Sequence, residues 1–109
     1  MKKKISLLLL ISLLVPLLTY GQTRKLPPAL QSGIQAFGNG NYDQALLHFR
    51  DIILDSGMKE YYGDAYYWIG RSHLAKDRID KAAQNIDFFI ANYKGHFKYP
   101  DALYQKGRI

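Results

Sequence analysis

Gly63-Asp64-Ala65-Tyr66-Tyr67-Trp68-Ile69-Gly70-Arg71 and Pro100-Asp101-Ala102-Leu103-Tyr104-Gln105-Lys106-Gly107-Arg108 are two versions of one segment. Asp, Ala, Tyr, Gly and Arg recur in register, 37 residues apart. Counting back by the same interval from Gly70 reaches Gly33, and Ala45 and Ala82 each stand 12 residues after their glycine. Self-similarity at a fixed period of this size is the mark of a repeat architecture. The period divides the chain into units over residues 26–62 and 63–99, with the start of a third over 100–109.

Each unit reads as two helices. Leu30–Phe37 is followed by Gly38-Asn39-Gly40-Asn41, a strong turn signal. From Tyr42 to Leu54 the apolar residues Tyr42, Ala45, Leu46, Phe49, Ile52 and Ile53 recur at steps of three and one, a helical stripe. Asn41 or Asp43 is placed to supply the N-cap oxygen and Gly57 to end this helix. The second unit repeats the plan: a helix over Ala65–Ala75, a turn at Lys76-Asp77-Arg78, and a helix over Ile79–Tyr93 closed by Gly95. Tyr99-Pro100 opens another helix, since proline suits a first turn. No segment reads as a strand, so the expected fold is all-α.

Gly33, Gly70 and Gly107 each fall inside a predicted helix, where glycine costs about 1 kcal/mol relative to alanine. Its return at the same phase points to close helix contact, with Ala45 and Ala82 as the expected opposing positions. Small residues facing one another bring helix axes toward the short end of the usual range of about 8–10 Å.

These residues resemble the tetratricopeptide repeat, whose pattern runs aromatic, Leu-Gly, Tyr, then Ala and Phe. The second unit offers Tyr66, Ile69-Gly70, His73, Ala82 and Ile86; the first offers Ala29, Ser32-Gly33, Ala36, Ala45 and Phe49. Gly and Ala match in both units, the large positions are degenerate, and the closing Pro of the motif is absent. The period exceeds the usual value of about 34. The longer period with Tyr-Pro-Asp-Ala-x-Tyr-x-x-Gly is similar to repeats of bacterial envelope proteins, namely outer-membrane assembly lipoproteins and Tol-Pal-associated periplasmic proteins. The resemblance covers residues 27–109 and implies a right-handed solenoid of antiparallel helix hairpins, two full repeats plus the start of a third.

The first 21 residues read as a leader. Lys2, Lys3 and Lys4 precede a nearly unbroken apolar run from Ile5 to Leu18, and Thr19 and Gly21 form a small-residue exit. That is the build of a secretory signal, and the run falls short of the roughly 20 residues a spanning helix needs. A retained anchor is the alternative, and with it membrane contact. No Cys lies at the exit to carry a lipid. The remaining residues, 22–109, make one domain that would bury about 60–65% of its unfolded surface, without any disulfide to help, since the chain has no Cys. Three of its 15 basic residues are the leader lysines, and the 12 others are scattered against 9 acidic residues. No basic stripe suggests nucleic acid.

The resemblance implies a concave groove lined by the first helices of successive repeats. Mapped here, it offers Asp64, Tyr67, Arg71, Tyr104 and Arg108, a Tyr-Arg ladder, beside Leu30, Ile34 and Phe37. Arg suits bidentate capture of carboxylates, and Tyr gives contact area at low entropic cost. The competing reading is that Arg71 and Arg108 are solvated charges repeated because the units are duplicates. His48, His73 and His96 lack metal-ligand spacing; His73 falls at an inward position and reads as a core histidine with its polar atoms satisfied. The sequence has no nucleophile elbow and no phosphate-cradling glycine loop, and its carboxylates are not paired for acid–base work. Tyr61-Tyr62 and His96-Phe97-Lys98-Tyr99 fall in links between units, and Trp68 at a position that is often outward in such repeats.

The expected function is therefore non-enzymatic: a protein- or peptide-binding scaffold, exported to the periplasm or outer-membrane-associated, without metal or cofactor. A docking arm of a larger enzyme whose catalytic domain lies beyond residue 109 is the alternative. Ile109 falls within the first helix of the third unit, so the chain is expected to be the N-terminal piece of a longer protein, or to cover that helix by oligomerisation.

Overall fold

A computed structural model describes residues 25–109; the predicted leader, 1–21, lies outside them. The described residues form five α-helices and no strand. They are α1 (Pro28–Gly38), α2 (Tyr42–Ile53), α3 (Tyr62–Ala75), α4 (Ile79–Asn92) and α5 (Tyr99–Arg108), with a 3-10 turn over Ser56–Tyr61 before α3. None is long and apolar enough to cross a membrane.

The 37-residue period is a structural period. In the turn after α1, the Asn41 amide donates to the Ala36 carbonyl (2.9 Å) and Gly40 to Phe37 (3.0 Å). After α3, Arg78 donates to His73 (2.9 Å) and Asp77 to Leu74 (3.0 Å), the same pair of bonds one period on. This double closure is the Schellman arrangement, which needs a left-handed residue just past the helix. Gly40 fills that place with φ 80° and Asp77 with φ 57°. Each turn returns the chain as an antiparallel helix, α2 against α1 and α4 against α3.

Helix ends depart from expectation in several places; α3, for one, begins at Tyr62, three residues before the expected Ala65. α1 begins earlier, at Pro28, where a proline's missing N–H is harmless. α2 stops at Ile53, not at Gly57; Gly57 lies within the 3-10 turn, its amide held by Asp55 Oδ1 at 2.9 Å. Asn41 occupies the N-cap of α2 without a side-chain capping bond. Asp43 reaches outward instead, to Lys76 Nζ at 2.7 Å and Arg78 at 3.3 Å, pinning the second turn to the start of α2. The Lys76 hydrogen bond leads in holding the Asp43 carboxyl below its ordinary range.

Gly33 and Gly70 mark close approach, and the side chains nearest them are Phe49 and Ile86 rather than the expected alanines. A Cβ on Gly33 would run into the Phe49 ring, and one on Gly70 would lie 2.6 Å from Ile86 Cγ1. Ala45 and Ala82 are fully buried one turn earlier on α2 and α4. Phe49 and Ile86 need the whole of the glycine's space, so bulk on one helix is matched by its absence on the other. A Cβ on Gly107 would meet nothing within 4 Å.

Two cores result. The first gathers Leu30, Ala45, Leu46, Phe49, Ile52, Ala65 and Ile69 from α1, α2 and α3. The second gathers Tyr67, Phe89 and Ala102 from α3, α4 and α5, with Tyr66, Tyr93 and Tyr99 packed on it. Trp68, expected outward, packs against both. Its ring meets Phe37 at 5.1 Å, Tyr67 at 5.2 Å and Phe49 at 6.1 Å.

Candidate protein-binding cleft

α1, α2, α3 and α5 border a cleft of about 270 Å³ lined by Phe37, Tyr42, Arg71, Leu74, Gln105 and Arg108. Phe37 and Tyr42 meet edge to face at 5.1 Å and give it an aromatic wall. The Arg71 guanidinium lies 5.4 Å from the centre of the Phe37 ring, a cation–π distance. Arg108, which also lines the cleft, donates to Gln105 Oε1 at 3.2 Å and stands over the Tyr104 ring at 6.0 Å.

The predicted Tyr-Arg ladder divides between surface and interior. Tyr67 is 1% exposed. Its hydroxyl donates to Asp101 Oδ2 on α5 and accepts from Arg71 Nη1 at 2.7 Å. Burial, then the Asp101 hydrogen bond, pushes the Tyr67 phenol up to about 12. Arg71 also lies 3.4 Å from Asp101 and keeps about a quarter of its side chain exposed. Tyr67 is thus a strut between α3 and α5, and Arg71 both braces that strut and edges the cleft. Tyr104, the counterpart of Tyr67, is 64% exposed.

Asp64 is buried rather than groove-lining. Its Oδ1 lies 3.2 Å from His96 Nε2. The Lys98 amide donates to His96 Nδ1 at 2.9 Å, so the neutral imidazole carries its proton on Nε2, facing the Asp64 carboxylate. The pair ties the start of α3 to the link before α5. Leu30 is fully buried, and Ile34 packs on the first core. The cleft therefore brings together Phe37, Arg71 and Arg108, and not Asp64, Tyr67, Tyr104, Leu30 or Ile34.

Sequence reasoning missed Tyr42, Leu74 and Gln105. Leu74 and Gln105 stand three residues from Arg71 and Arg108, one helical turn away, and that spacing was the available signal. His73 is buried as expected, at 3% exposed, but its Nδ1 has no hydrogen-bond partner. Burial leads in lowering its pKa, helped by Arg50, Arg78 and Lys81. Among the described residues no three metal-ligating side chains come together.

Comparison with protein-family models, with curated proteins and with solved structures gives no match for this chain.

Proposed function

We propose that the chain is a tetratricopeptide-type, non-enzymatic scaffold of the bacterial cell envelope whose cleft holds an acidic segment of a peptide or protein partner. The cleft itself carries this reading: Phe37 and Tyr42 give it an aromatic wall, and Arg71 and Arg108 line it as well. Aromatic and Arg side chains are the usual anchors of protein interfaces. Arg108 has no ion-pair partner among the described residues, so its charge is available to a carboxylate, whereas Arg71 is shared with Asp101. The repeat assignment draws on the equivalent turns and on the Gly-to-Phe49 and Gly-to-Ile86 packing. The envelope assignment draws on the composition of the leader.

The test is a titration of the chain with fluorescent peptides that differ only in charge. An acidic peptide with one aromatic residue should bind, and more weakly as salt rises. Arg108→Ala should weaken it about fivefold to tenfold without changing the helix signal in circular dichroism. Arg71→Ala should also weaken it, with some loss of stability. Equal affinity for acidic and basic peptides, or unchanged affinity in Arg108→Ala, would discard the proposal.

A further inference from the structure

A second cation stands at the same pair of rings as Arg71. The Arg71 guanidinium lies 5.8 Å from the centre of the Tyr67 ring and 5.8 Å from that of Trp68. Lys98 Nζ lies 5.6 Å and 5.7 Å from the same two centres. Arg71 reaches them from α3 and Lys98 from the N-cap of α5. Their charges differ in state. Arg71 is shared with Asp101, whereas Lys98 has no ion pair among the described residues; its contacts are the uncharged rings of Tyr67, Trp68 and Phe97. Asp101, the nearby carboxylate, is already engaged: its Oδ2 accepts from Tyr67, from Arg71 at 3.4 Å and from Gln105 at 3.5 Å. Lys98 is half-buried, and the Phe97 ring beside it is 65% exposed. A cation resting on aromatic rings is already held in place and loses little freedom on meeting an anion.

We infer that Lys98 is a second acid-binding position, so that the preferred ligand is an extended peptide with two acidic residues two or three positions apart. This rests on the reading of the cleft as the holder of an acidic segment. One carboxylate meets the cleft arginines and the other meets Lys98. Each cation has an aromatic companion, Phe37 at 5.4 Å from Arg71 and Phe97 at 5.8 Å from Lys98, and Tyr67 and Trp68 are common to both. An extended chain advances about 3.3 Å per residue, so two or three residues cover roughly 7–10 Å, the scale of two charges that flank the same rings. An ion pair open to water adds little affinity, so Lys98 selects among acidic peptides and does not anchor them.

The experiment titrates the full chain with fluorescein-labelled peptides that carry one aromatic residue and either a single Glu or a second Glu two or three residues before or after it. In one of the two orders the second Glu should tighten binding about threefold to fivefold. Lys98→Gln should remove that gain and leave the single-Glu peptide where it was, and Lys98→Arg should keep the gain. Lys81→Gln, which takes the same charge from α4, should keep it too. The Lys98 backbone amide, which donates to His96 Nδ1 at 2.9 Å, survives each substitution, so the helix signal in circular dichroism should not change. No gain in either order, a gain that survives Lys98→Gln, or one that Lys81→Gln lowers equally would overturn the inference and leave the acidic-segment reading standing. Failure of the single-Glu peptide to bind would overturn that reading and this inference with it.

Discussion

The Tyr67 hydroxyl on α3 donates to the Asp101 carboxylate on α5, and Arg71 donates to the same hydroxyl at 2.7 Å. Asp101 is the repeat counterpart of Asp64, and Tyr67 the counterpart of Tyr104, so this bond joins the second unit to the third using residues both of them carry; the first unit has Pro27 and Leu30 at these places.

Tyr67→Phe removes the hydroxyl and leaves Asp101 with Arg71 and a long contact to Gln105. A hydrogen bond to a charged group contributes about 1.5–3 kcal/mol. For a domain of this size each 1 kcal/mol moves Tm by roughly 4–8 °C. Thermal melts of Tyr67→Phe, Asp101→Asn and the double variant should show the two losses to be strongly non-additive; simple additivity would mean that the bond is not a shared element.

Tyr67 titrates near 12 in the fold against an ordinary 10.0, so the folded chain holds its proton longer than the unfolded one. Its contribution is complete below about pH 10 and is lost as pH rises toward about 12. Tyr93, raised chiefly by burial, acts in the same direction. Denaturant melts of wild type should weaken across that window, and Tyr67→Phe should flatten the decline.

Gly70→Ala and Gly107→Ala make the same change at the same repeat position and should have opposite effects. At Gly70 the new methyl meets Ile86 Cγ1 at 2.6 Å, and overpacking costs about 1–3 kcal/mol, more than the gain in helix propensity of about 1 kcal/mol. At Gly107 there is nothing to meet, and the propensity gain should raise Tm slightly. If both variants melt alike, the two positions do not differ in packing.

His73 is held neutral by burial and by the cations Arg50, Arg78 and Lys81, so its pKa in the fold lies below 6.5. The unfolded chain then binds the extra proton first. Stability is complete above about pH 6.5 and declines as pH falls below it toward the folded value. His73→Phe should reduce the difference in melting temperature between pH 7.5 and pH 5.5; an unchanged difference would place the titration elsewhere.

Asp77 sits at φ 57°, where a side chain is disfavoured and glycine is not. Asp77→Gly should stabilise the chain by a few tenths to about 1 kcal/mol, whereas Asp77→Val should destabilise it by more than that. The equivalent Gly40→Ala, at φ 80°, should resemble Asp77→Val in sign.

The helices were legible because their signals are local. The stripe from Tyr42 to Ile53 and the glycine turn before it are properties of neighbouring residues, and α2 begins at its expected residue, Tyr42. Burial was less legible because it depends on which helix comes third. Nothing near Tyr67 in sequence announces Asp101, and only their meeting across α3 and α5 turns an expected surface residue into a buried one. Asp64 was misplaced for the same reason, since His96 reaches it from the link before α5. Phe37, Arg71 and Arg108 border the cleft from the first helices of their units, while Tyr42 enters it from α2, outside the first-helix mapping.

Trp68 is the chain's single tryptophan, and it stands between the two cores. It touches Phe37 and lies 5.8 Å from the Arg71 guanidinium, both of them walls of the cleft, and Lys98 approaches its ring from the α5 side at 5.7 Å. The molecule therefore carries a built-in optical probe at the joint between its hairpins. Emission wavelength and quenching should respond when the hairpins part, and also when a ligand moves Arg71, so unlabelled protein can report both events in a cuvette.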